Sequence, residues 1–599
     1  MKSSLKNFWQ RLNLPSQNEI KASINSFSKR DYFIFVGAIL TLTISLFAII
    51  YKIDNKYSIK IPAYGGILRE GVIGTPRFIN PLLAVSDSDK DMATIIYSGL
   101  MKKDIYGTLI PDLASSYEIS KDETTYTFIL RDNIYFHDNN PVTADDILFV
   151  IQSAKDSLIK SPRQINWQGI NVEKVDEKTI KFILKQPYAS FLENTTLGIL
   201  PAHLWKKVPP NQWSLSELNI NPIGSGPYKV ASIEKNSGIP TSYKLISFSK
   251  YSGGRPYIKN MYFNFYDNEN DLISAFKNND VDNINSISPN NAQELEKAGF
   301  KTVHVVLPRI FGVFFNSSQA PIFTDKAIIK AFEKTINKKA IIDEVLFGYG
   351  RAINSPLPPN MIEYASISSE DSDLSTTSAD EAIAILEKSG WKLGENGIRQ
   401  KEKLTVISQK TGKKTTAQTT KENTELSFSL STSDIPELKQ VAEMIKQDLE
   451  KIGAQVDLKI FENGNLNQNV IRPRQYEALF FGQVINKESD LFAFWHSSQR
   501  NDPGLNIAMY ANPKVDKSLE ALLTSINLQD RAKKYLDFQT EIEKDSPSIF
   551  IHSPEFTYVL RKNIKGLIIN DLRNPQDRFA NISNWYIKSD SIWKIFTKN

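Results

Sequence analysis

The side chains best suited to catalysis or metal binding are few and scattered along this chain. Five histidines occur among its 599 residues: His137, His203, His304, His496 and His552. None of them forms an HExxH pair, and the sequence contains no GxSxG, GxxxxGK or GxGxxG segment. His137 and Asp138 are adjacent, but neighbours on a strand point to opposite faces and chelate a metal poorly. The sequence therefore predicts a protein that is not an enzyme and that needs no cofactor or metal.

Cysteine is absent, and the charges nearly cancel. Without cysteine the chain has no disulfide, no thiolate ligand for zinc and no residue that could carry a lipid anchor. Lysine and arginine number 72 against 67 aspartate and glutamate, which leaves a formal net charge of +5. Nucleic-acid binding needs a concentrated basic face, so this balance argues against nucleic acid as a partner.

An uninterrupted apolar segment lies near the N-terminus. Residues Tyr32 to Tyr51 carry no charge, and about twenty helical residues at ~1.5 Å each span the ~30 Å hydrocarbon core of a bilayer. A cleaved signal peptide is the alternative, but its apolar region would be about 7–15 residues long and followed by small residues. We therefore predict an uncleaved transmembrane helix over 32–51. More basic residues precede it than follow it, which places residues 1–31 in the cytoplasm and the bulk of the chain outside the cell membrane.

Beyond residue 61 the sequence alternates between strand and helix patterns. Apolar residues alternate from Tyr117 to Leu130, which predicts a β-hairpin, and Thr143 with Asp146 predicts the cap of the next helix. Over residues 426–460, a strand, a helix with one apolar face and a second strand predict two parallel strands with a right-handed crossover. Two polar segments, 366–378 and 409–423, are predicted to be exposed loops. This part of the chain is thus expected to be α/β.

Six segments, taken together, resemble one known family. They are GGILREG with TPRFINPLL (65–83), IPDLASSYEIS (110–120), TYTFILRDNIYFHDNNPVTADDILF (125–149), NPIGSGPYKV (221–230), FFNSSQAPIFTDKAIIKAFEKTINK (314–338) and FWHSSQRNDPGLNIAMYANPKVDKSLE (494–520). Their order and spacing resemble the family-5 extracellular solute-binding proteins, the oligopeptide- and dipeptide-binding receptors of ABC importers. The resemblance extends from about Ile61 to about Ile587.

This resemblance implies a two-lobed α/β fold. The fold is of the periplasmic-binding-protein type, in its large, cluster C form, here with a single N-terminal transmembrane helix in place of the lipid anchor common in the family. The first lobe would comprise residues 61–264 with 549–599, and the second lobe residues 265–548. A ligand that contacts both lobes only when they close would shift an open–closed equilibrium. We expect a monomer.

The resemblance also places several side chains near the cleft between the lobes. The candidate ligand contacts are Phe78, Asn80, Tyr97, Trp495, His496 and Asn506, with Asp490 as a candidate partner for a ligand amine. In peptide-binding members an aspartate often holds the α-amine, whereas Gln483 or Val484 stands near that position here. An aromatic wall with a few hydrogen-bonding groups suits a peptide-like ligand, and core packing is the alternative role for each aromatic. Gly224, Gly226 and Pro227 are expected to be turn residues and not contacts.

The leading functional hypothesis is a transport receptor. It would capture short peptides by closure of its lobes and deliver them to the permease of an ABC importer. The family also takes up sugars, nickel complexes and other solutes, so these ligands remain open. The competing hypotheses are a sensor of peptides or wall fragments on the same scaffold, and a membrane-tethered hydrolase with an unrecognised site.

Overall fold

The chain folds as two compact units. The computed structural model describes residues 17–361, 377–411, 414–562, 564–593 and 595. One unit, which we call the helical unit, comprises Met1–Ala63 and Lys588–Asn599; the other, the main unit, comprises Tyr64–Ile587. Most of the loop predicted over 366–378 lies outside the described residues.

The described strands and helices have the following bounds. The strands are β1 (Ser58–Ala63), β2 (Ile67–Ile73), β3 (Met101–Lys103), β4 (Leu109–Pro111), β5 (Ala114–Ile119), β6 (Thr125–Leu130), β7 (Asn171–Lys174), β8 (Thr179–Ile183), β9 (Tyr228–Asn236), β10 (Ile239–Ser247), β11 (Asn260–Tyr266), β12 (Asn283–Asn285), β13 (Lys301–Val306), β14 (Arg309–Phe315), β15 (Gly350–Ala352), β16 (Lys392–Leu393), β17 (Arg399–Thr411), β18 (Lys414–Glu425), β19 (Ser427–Ser433), β20 (Gln455–Phe461), β21 (Ala478–Val484), β22 (Ser548–Leu560) and β23 (Lys588–Trp593). The α-helices are Gln17–Asn25, Lys29–Tyr57, Asp87–Ile96, Ala144–Lys155, Gln164–Trp167, Phe191–Asn194, Ala202–Trp205, Glu269–Lys277, Pro289–Lys297, Lys326–Thr335, Lys338–Glu344, Ala379–Lys388, Pro436–Glu450, Asn463–Asn465, Glu488–Trp495, Pro513–Thr524 and Leu528–Asp545. Shorter helical turns are Pro210–Leu215, Glu217–Asn219, Pro321–Thr324, Pro359–Met361, Leu466–Ile471, Ser497–Gln499, Pro575–Phe579 and Ile582–Asn584.

The helical unit consists mainly of one long apolar helix and a two-stranded ribbon. The helix begins after Ser28, whose side chain forms a capping box with Asp31 and so satisfies free backbone N–H groups at the helix start. Among the described residues, Lys29–Asp54 is the one helix long and apolar enough to cross a membrane, and its apolar window is not buried in the protein. It contains the predicted span 32–51. After the helix, β1 pairs antiparallel with β23, the last described strand of the chain.

A large mixed sheet runs through the main unit. Its strand order is β20-β19-β21-β14-β22-β12-β2-β11-β10-β9, and β13 and β15 also pair with β22. Strand β22 contributes to four hydrophobic clusters: Ile549 and Ile551 pack in one, Phe556 and Tyr558 in a second, Phe550 in a third and Val559 in a fourth. We call the cluster around Phe556 the first core and the cluster around Ile549 the second core. The two cores confirm the expected two-lobed α/β fold.

Most of the elements predicted from sequence patterns are present. Strands β5 and β6 form the predicted hairpin, and the helix Ala144–Lys155 has the Thr143–Asp146 capping box. Strands β19 and β20 are parallel and are joined by the helix Pro436–Glu450, as the strand–helix–strand pattern indicated.

The prediction of a loop over 409–423 is wrong for the described residues 409–411 and 414–423. They belong to a long antiparallel hairpin in which β17 and β18 pair from Gln400 with Glu425 to Thr411 with Lys414. Their sequence lacks the alternation of apolar and polar residues that marks a strand with one buried face. The segment is nevertheless rich in threonine, which favours extended backbone. This preference is a weaker signal than alternation.

His137, the histidine that precedes Asp138, is a structural residue of the first lobe. His137 is 7% exposed, its Nε2 donates to the carbonyl of Gly226 at 3.1 Å, and its Nδ1 accepts from the N–H of Gly224 at 3.3 Å. Asp138 instead contacts Nε2 of His203 at 2.7 Å. Burial lowers the pKa of His137 to about 4, so the ring is neutral in the folded protein at pH 7.

We expect His137 to make the protein acid-sensitive. Its folded-state pKa lies below the ordinary value, so its contribution to stability is complete above pH ~6.5 and is lost as the pH falls towards 4. Full protonation would cost roughly 3 kcal/mol, at about 1.4 kcal/mol per pKa unit, because the buried ring would carry a charge away from water. The measurement is thermal unfolding from pH 7.5 to 4 for wild type and His137→Gln. The acid-induced loss should be smaller in this variant; equal loss in both proteins would contradict the assignment.

Candidate ligand-binding site

A cavity of about 400 Å³ lies in the main unit. It is lined by the helix Asp87–Ile96 with the following residues 97–103, and by residues 163–167, 193–198, 486–487 and 574–583. Residues 486–487 follow strand β21, which packs in the second core, whereas the helix Asp87–Ile96 packs in the first core. The cavity thus lies where the two lobes face each other, and its volume is within the range typical of small-molecule sites, about 300–1,000 Å³.

Local hydrogen bonds fix the helix that forms one wall of the cavity. The side chain of Ser86 accepts from the N–H of Asp89, and the Asp89 carboxylate returns to the N–H of Ser86 in a capping box. Asp89 also accepts from the N–H of Phe78 at 2.8 Å, which ties the preceding loop to the start of this helix. The arrangement holds Thr94 and Tyr97 on the cavity wall.

Polar contacts join the two lobes beside the cavity. The Ser190 hydroxyl donates to the buried carboxylate of Glu488 at 2.5 Å. Arg573 forms an ion pair with Glu193 at 2.7 Å and donates to the backbone carbonyl of Asn486 at 2.8 Å. These contacts hold residues 486–488 against segments that pack with the first core, so the structure represents a conformation in which the lobes touch.

Several polar groups that line the cavity lack partners within the described part of the chain. Asn486 Oδ1 and Gln576 Oε1 are inaccessible to solvent and accept no hydrogen bond from any described residue. A buried acceptor without a donor typically costs about 1–3 kcal/mol. Because solvent does not reach these two atoms, a ligand in the cavity does not contact them in this conformation. The half-buried Arg163 also lines the cavity, and burial lowers the pKa of its guanidinium.

Among the residues predicted to contact ligand, Tyr97 lines the cavity. Its hydroxyl donates to the carbonyl of Ile79 at 3.3 Å, and burial raises its pKa, so it stays protonated. Phe78 is half-buried and packs against the first core. Asn80 is fully buried, where its Oδ1 accepts from the N–H of Leu82 at 2.9 Å, which is a turn contact. Neither Phe78 nor Asn80 is among the residues that line the cavity.

Trp495 and Asn506 lie within the second lobe and not on the cavity wall. Trp495 has no exposed surface and packs near the rings of Phe314 and Phe550, with centroid distances of 6.3 and 5.9 Å. Asn506 is also fully buried, and its amide donates to the carbonyl of Tyr510 at 2.9 Å and accepts from its N–H at 3.2 Å. These placements favour structural roles, and no measurement tests ligand contact at either residue.

Asp490 lies in the first turn of the helix that contains Trp495, and His496 directly follows that helix. His496 stacks on Phe492 with a centroid distance of 4.1 Å, and its Nδ1 lies 2.7 Å from the Ser498 hydroxyl. Asp490 accepts from the N–H groups of Asn486 and Lys487 at 2.8 and 3.1 Å, and burial raises its pKa. Asp490 therefore positions the two cavity-lining residues of the second lobe, and its role as an amine partner remains a prediction.

The two residues at the place of the family's aspartate differ in exposure. Gln483 is 2% exposed, and neither atom of its amide has a hydrogen-bond partner among the described residues. Val484 is 45% exposed at the end of β21. Gln483 is not among the cavity-lining residues, so the structure assigns it no ligand contact.

Sequence reasoning missed most of the polar residues of the cavity, among them Arg163, Asn486 and Gln576. Arg163 and Asn486 lie outside strands and helices, and Gln576 lies in the short turn Pro575–Phe579, so periodicity gives no direction for these side chains. Residues 163, 486 and 576 are also far apart in sequence, so only the folded topology brings them to one cavity.

The fold and the cavity between its lobes define a class of protein, the two-lobed α/β solute-binding proteins. The family model for bacterial extracellular solute-binding proteins, family 5, matches residues 108–504, which is more than half of the chain. The chain therefore belongs to family 5 of the bacterial extracellular solute-binding proteins, which bind solutes and are not enzymes.

Individual relatives extend this similarity over nearly the whole main unit. The chain is 26% identical to the oligopeptide-binding protein AppA of Bacillus subtilis (strain 168) over 543 residues, covering 89% of this chain and 93% of the relative. It is 23% identical to the dipeptide-binding protein of Escherichia coli (strain K12), covering 85% and 93%. Among solved structures, the substrate-binding protein CtaP of Listeria monocytogenes matches with a TM-score of 0.71 and 24% identity, covering 88% of this chain and 99% of that one. The structure of Bacillus subtilis AppA in complex with a nonapeptide matches with a TM-score of 0.65 and 24% identity, covering 88% and 100%.

Proposed function

We propose that the protein captures short peptides outside the cytoplasmic membrane and delivers them to the permease of an ABC importer. The observation that carries this proposal is the cavity of about 400 Å³ between the lobes, whose wall includes several side-chain amides. Peptide backbones supply both N–H donors and carbonyl acceptors, so they suit a wall of amide groups. The relatives named for oligopeptide and dipeptide binding support the same ligand class.

We further propose that the helix Lys29–Tyr57 anchors the protein in the membrane. Its length, its apolar composition and its lack of buried surface support a membrane-spanning role. The excess of basic residues before the helix supports a cytoplasmic N-terminus and an extracytoplasmic main unit. Tethering would keep the receptor at high local concentration near its permease.

The lobes of this receptor are proposed to hinge near residues 307–309 and within β22. Strands β12 and β13 lie beyond the lobe boundary expected at residue 264, yet they pair with β22 through its residues 555–560, and β12 also pairs with β2. The next strand, β14, pairs instead with β21 and with β22 through its residues 548–552. A lobe boundary near 307–309 agrees better with these pairings than one at 264.

A cavity-filling substitution tests this function. Thr94 lines the cavity, and Thr94→Trp would occupy part of the space that a ligand needs. We expect wild-type protein, full-length and in detergent, to be stabilised against thermal unfolding by di- to octapeptides. A free peptide concentration of about 100 times the dissociation constant adds ~2.7 kcal/mol to the free energy of unfolding. The Thr94→Trp variant should lose most of this stabilisation.

Ser274→Trp is the matched control for this experiment, because it places the same ring on an exposed helical position outside the cavity. It should retain the peptide effect. If peptides leave wild type unchanged while a sugar or a nickel complex stabilises it, the peptide assignment is wrong and the receptor role survives. If Thr94→Trp binds peptides as wild type does, the ligand site lies elsewhere.

A further inference from the structure

Three tyrosines form a row at one end of the large sheet of the main unit. Strands β2 and β11 are parallel, so Tyr64, which precedes β2, and Tyr257, which precedes β11, come to the same end of the sheet. The N–H of Gly65 donates to the carbonyl of Tyr257 at 2.8 Å, and the rings of the two tyrosines stack with a centroid distance of 5.0 Å. The ring of Tyr586 lies 6.2 Å from that of Tyr257. Tyr64 is 56% exposed, so the row reaches the protein surface.

A basic side chain lies at each end of this row. The guanidinium of Arg255 lies 4.9 Å from the ring centre of Tyr64, and the ammonium of Lys565 lies 5.8 Å from that of Tyr586. Neither cation forms an ion pair with any residue in the described ranges. An aromatic ring attracts a cation but does not neutralise it, so both charges remain available to an anion outside the protein. We call these five side chains the aromatic–basic face: Tyr64, Tyr257, Tyr586, Arg255 and Lys565.

Both ends of the main unit lie at this face. Tyr64 is its first residue, and Ile587, which follows Tyr586, is its last. Only the six residues of β1 separate Tyr64 from Tyr57, where the long apolar helix ends. Even a fully extended chain covers at most about 25 Å over these seven steps. A bilayer that contains the helix therefore has its surface within reach of the aromatic–basic face.

We propose that the aromatic–basic face binds the membrane surface beside the anchor helix. Tyrosine favours the membrane–water interface, because it combines an apolar ring with a hydroxyl that can stay in water. Lysine and arginine close to the surface attract anionic lipid headgroups. The inference rests on the proposed membrane anchoring, and it adds a lipid contact made by the main unit itself.

A single labelled cysteine can report on this contact, because the chain itself contains none. Asn584→Cys carries a fluorescent label at an exposed position two residues before Tyr586, and Asn270→Cys carries it at an exposed position beyond the opposite end of β11. The full-length proteins are reconstituted in equimolar phosphatidylcholine and phosphatidylglycerol, with a lipid that bears a nitroxide quencher on its headgroup. We expect strong quenching of the label at position 584 and little at position 270.

Substitutions within the face identify the groups responsible. Arg255→Gln should lower the ratio of lipid-bound to unbound faces about fivefold, the factor expected for one cation near an anionic surface. Tyr64→Ser combined with Arg255→Gln should reduce quenching at position 584 to the level at position 270. The matched control combines Tyr106→Ser with Arg351→Gln, which changes the same residue types at exposed positions outside the face and should keep the quenching.

Two changes of conditions test the same contact without a substitution in the face. Vesicles of phosphatidylcholine alone remove the anionic headgroups. Salt at about 1 M shortens the Debye length to ~3 Å and screens their charge. Each condition should lower the ratio of lipid-bound to unbound faces at least as much as Arg255→Gln does.

Flotation of the vesicles after an alkaline carbonate wash tests the anchor separately. If the protein stays with the vesicles but the label at position 584 is quenched no more than the label at position 270, the lipid contact is overturned and the anchor stands. Quenching that persists in the double variant overturns the role of Tyr64 and Arg255, and quenching unchanged in neutral vesicles overturns the role of anionic headgroups. If the wash removes the protein, the anchor is wrong, and the lipid contact argued from its reach is overturned with it.

Discussion

Replacing Arg578 with methionine is expected to destabilise the main unit by about 3–5 kcal/mol at pH 7. Arg578, Glu70 and Asp91 form a fully buried cluster in which the guanidinium donates to Asp91 at 2.8 and 2.5 Å and to Glu70 at 3.2 Å. Tyr558 donates to the other oxygen of Glu70 at 2.7 Å. Methionine would leave two buried carboxylates without their counter-ion, which costs far more than the lost pair itself.

The pH dependence of this variant follows from the direction of the pKa shifts. Burial raises the pKa of both Glu70 and Asp91, and the charge of Arg578 opposes this rise. Without Arg578 the folded protein holds protons that the unfolded chain releases, so its stability falls as the pH rises above the ordinary carboxylate pKa of about 4. The deficit relative to wild type should be smallest near pH 4 and should grow towards pH 7.

Thermal unfolding of the full-length protein across this pH range measures the effect. The control Arg351→Met makes the same substitution at an exposed arginine and should change the free energy of unfolding by less than about 0.5 kcal/mol. The same cluster joins the helix Asp87–Ile96 to the turn Pro575–Phe579, which both line the cavity, so Arg578→Met should also weaken ligand binding. A variant as stable as wild type at pH 7 would show that the cluster contributes nothing to the fold.

Gly224→Val is the second substitution for which we expect a large effect. It should lower the free energy of unfolding by about 3 kcal/mol or more. A Cβ atom at Gly224 would lie 2.0 Å from the carbonyl oxygen of Ile96 and 2.9 Å from the ring of Tyr97. The neighbouring N–H of Gly226 donates to the same carbonyl at 2.8 Å, so the turn packs directly on the end of the cavity helix. Backbone atoms at such distances cannot move aside as the end of a flexible side chain can.

The expected result is a midpoint of thermal unfolding well below that of wild type, together with weakened ligand binding because Tyr97 and Thr94 would shift. Gly238→Val is the control, since Gly238 has a φ of +84° but no atom within 4 Å of an added Cβ. The free energy of unfolding of Gly238→Val should fall by only roughly 1–2 kcal/mol, which is the cost of placing a side chain on left-handed backbone. A loss in Gly224→Val no larger than that in Gly238→Val would mean that close packing does not require glycine at position 224.

Sequence patterns predicted the local elements well because those elements depend on neighbours in the chain. The alternation from Tyr117 to Leu130 gave the hairpin, and the Thr143–Asp146 pair gave the helix start. The buried ion cluster was not predictable, because Glu70 and Arg578 are 508 positions apart. The cavity positions of Arg163 and Gln576 were not predictable for the same reason, because these residues come from segments that are distant in the sequence.

The burial of Trp495 could not be predicted from its neighbours in the sequence. Leu491 and Trp495 are four positions apart on one helix and therefore share a face. That face packs into the second lobe, and both side chains have no exposed surface. Polar residues close to a tryptophan in the sequence thus do not determine whether its ring is exposed.

The ribbon of β1 and β23 bears on how proteolysis could separate the main unit from the long apolar helix. The chain passes between the helical unit and the main unit twice, at Ala63–Tyr64 and at Ile587–Lys588. A single proteolytic cut at either connection leaves the other connection intact. After a cut before Tyr64, the two parts are also held together by the six residue pairs of the ribbon and by the Trp593 indole, which donates to Asp54 at 2.8 Å. An isolated two-stranded ribbon is only marginally stable in water. Cleavage before Tyr64 would therefore release the receptor slowly, at the rate at which the ribbon separates, whereas cleavage after Ile587 would not release it at all.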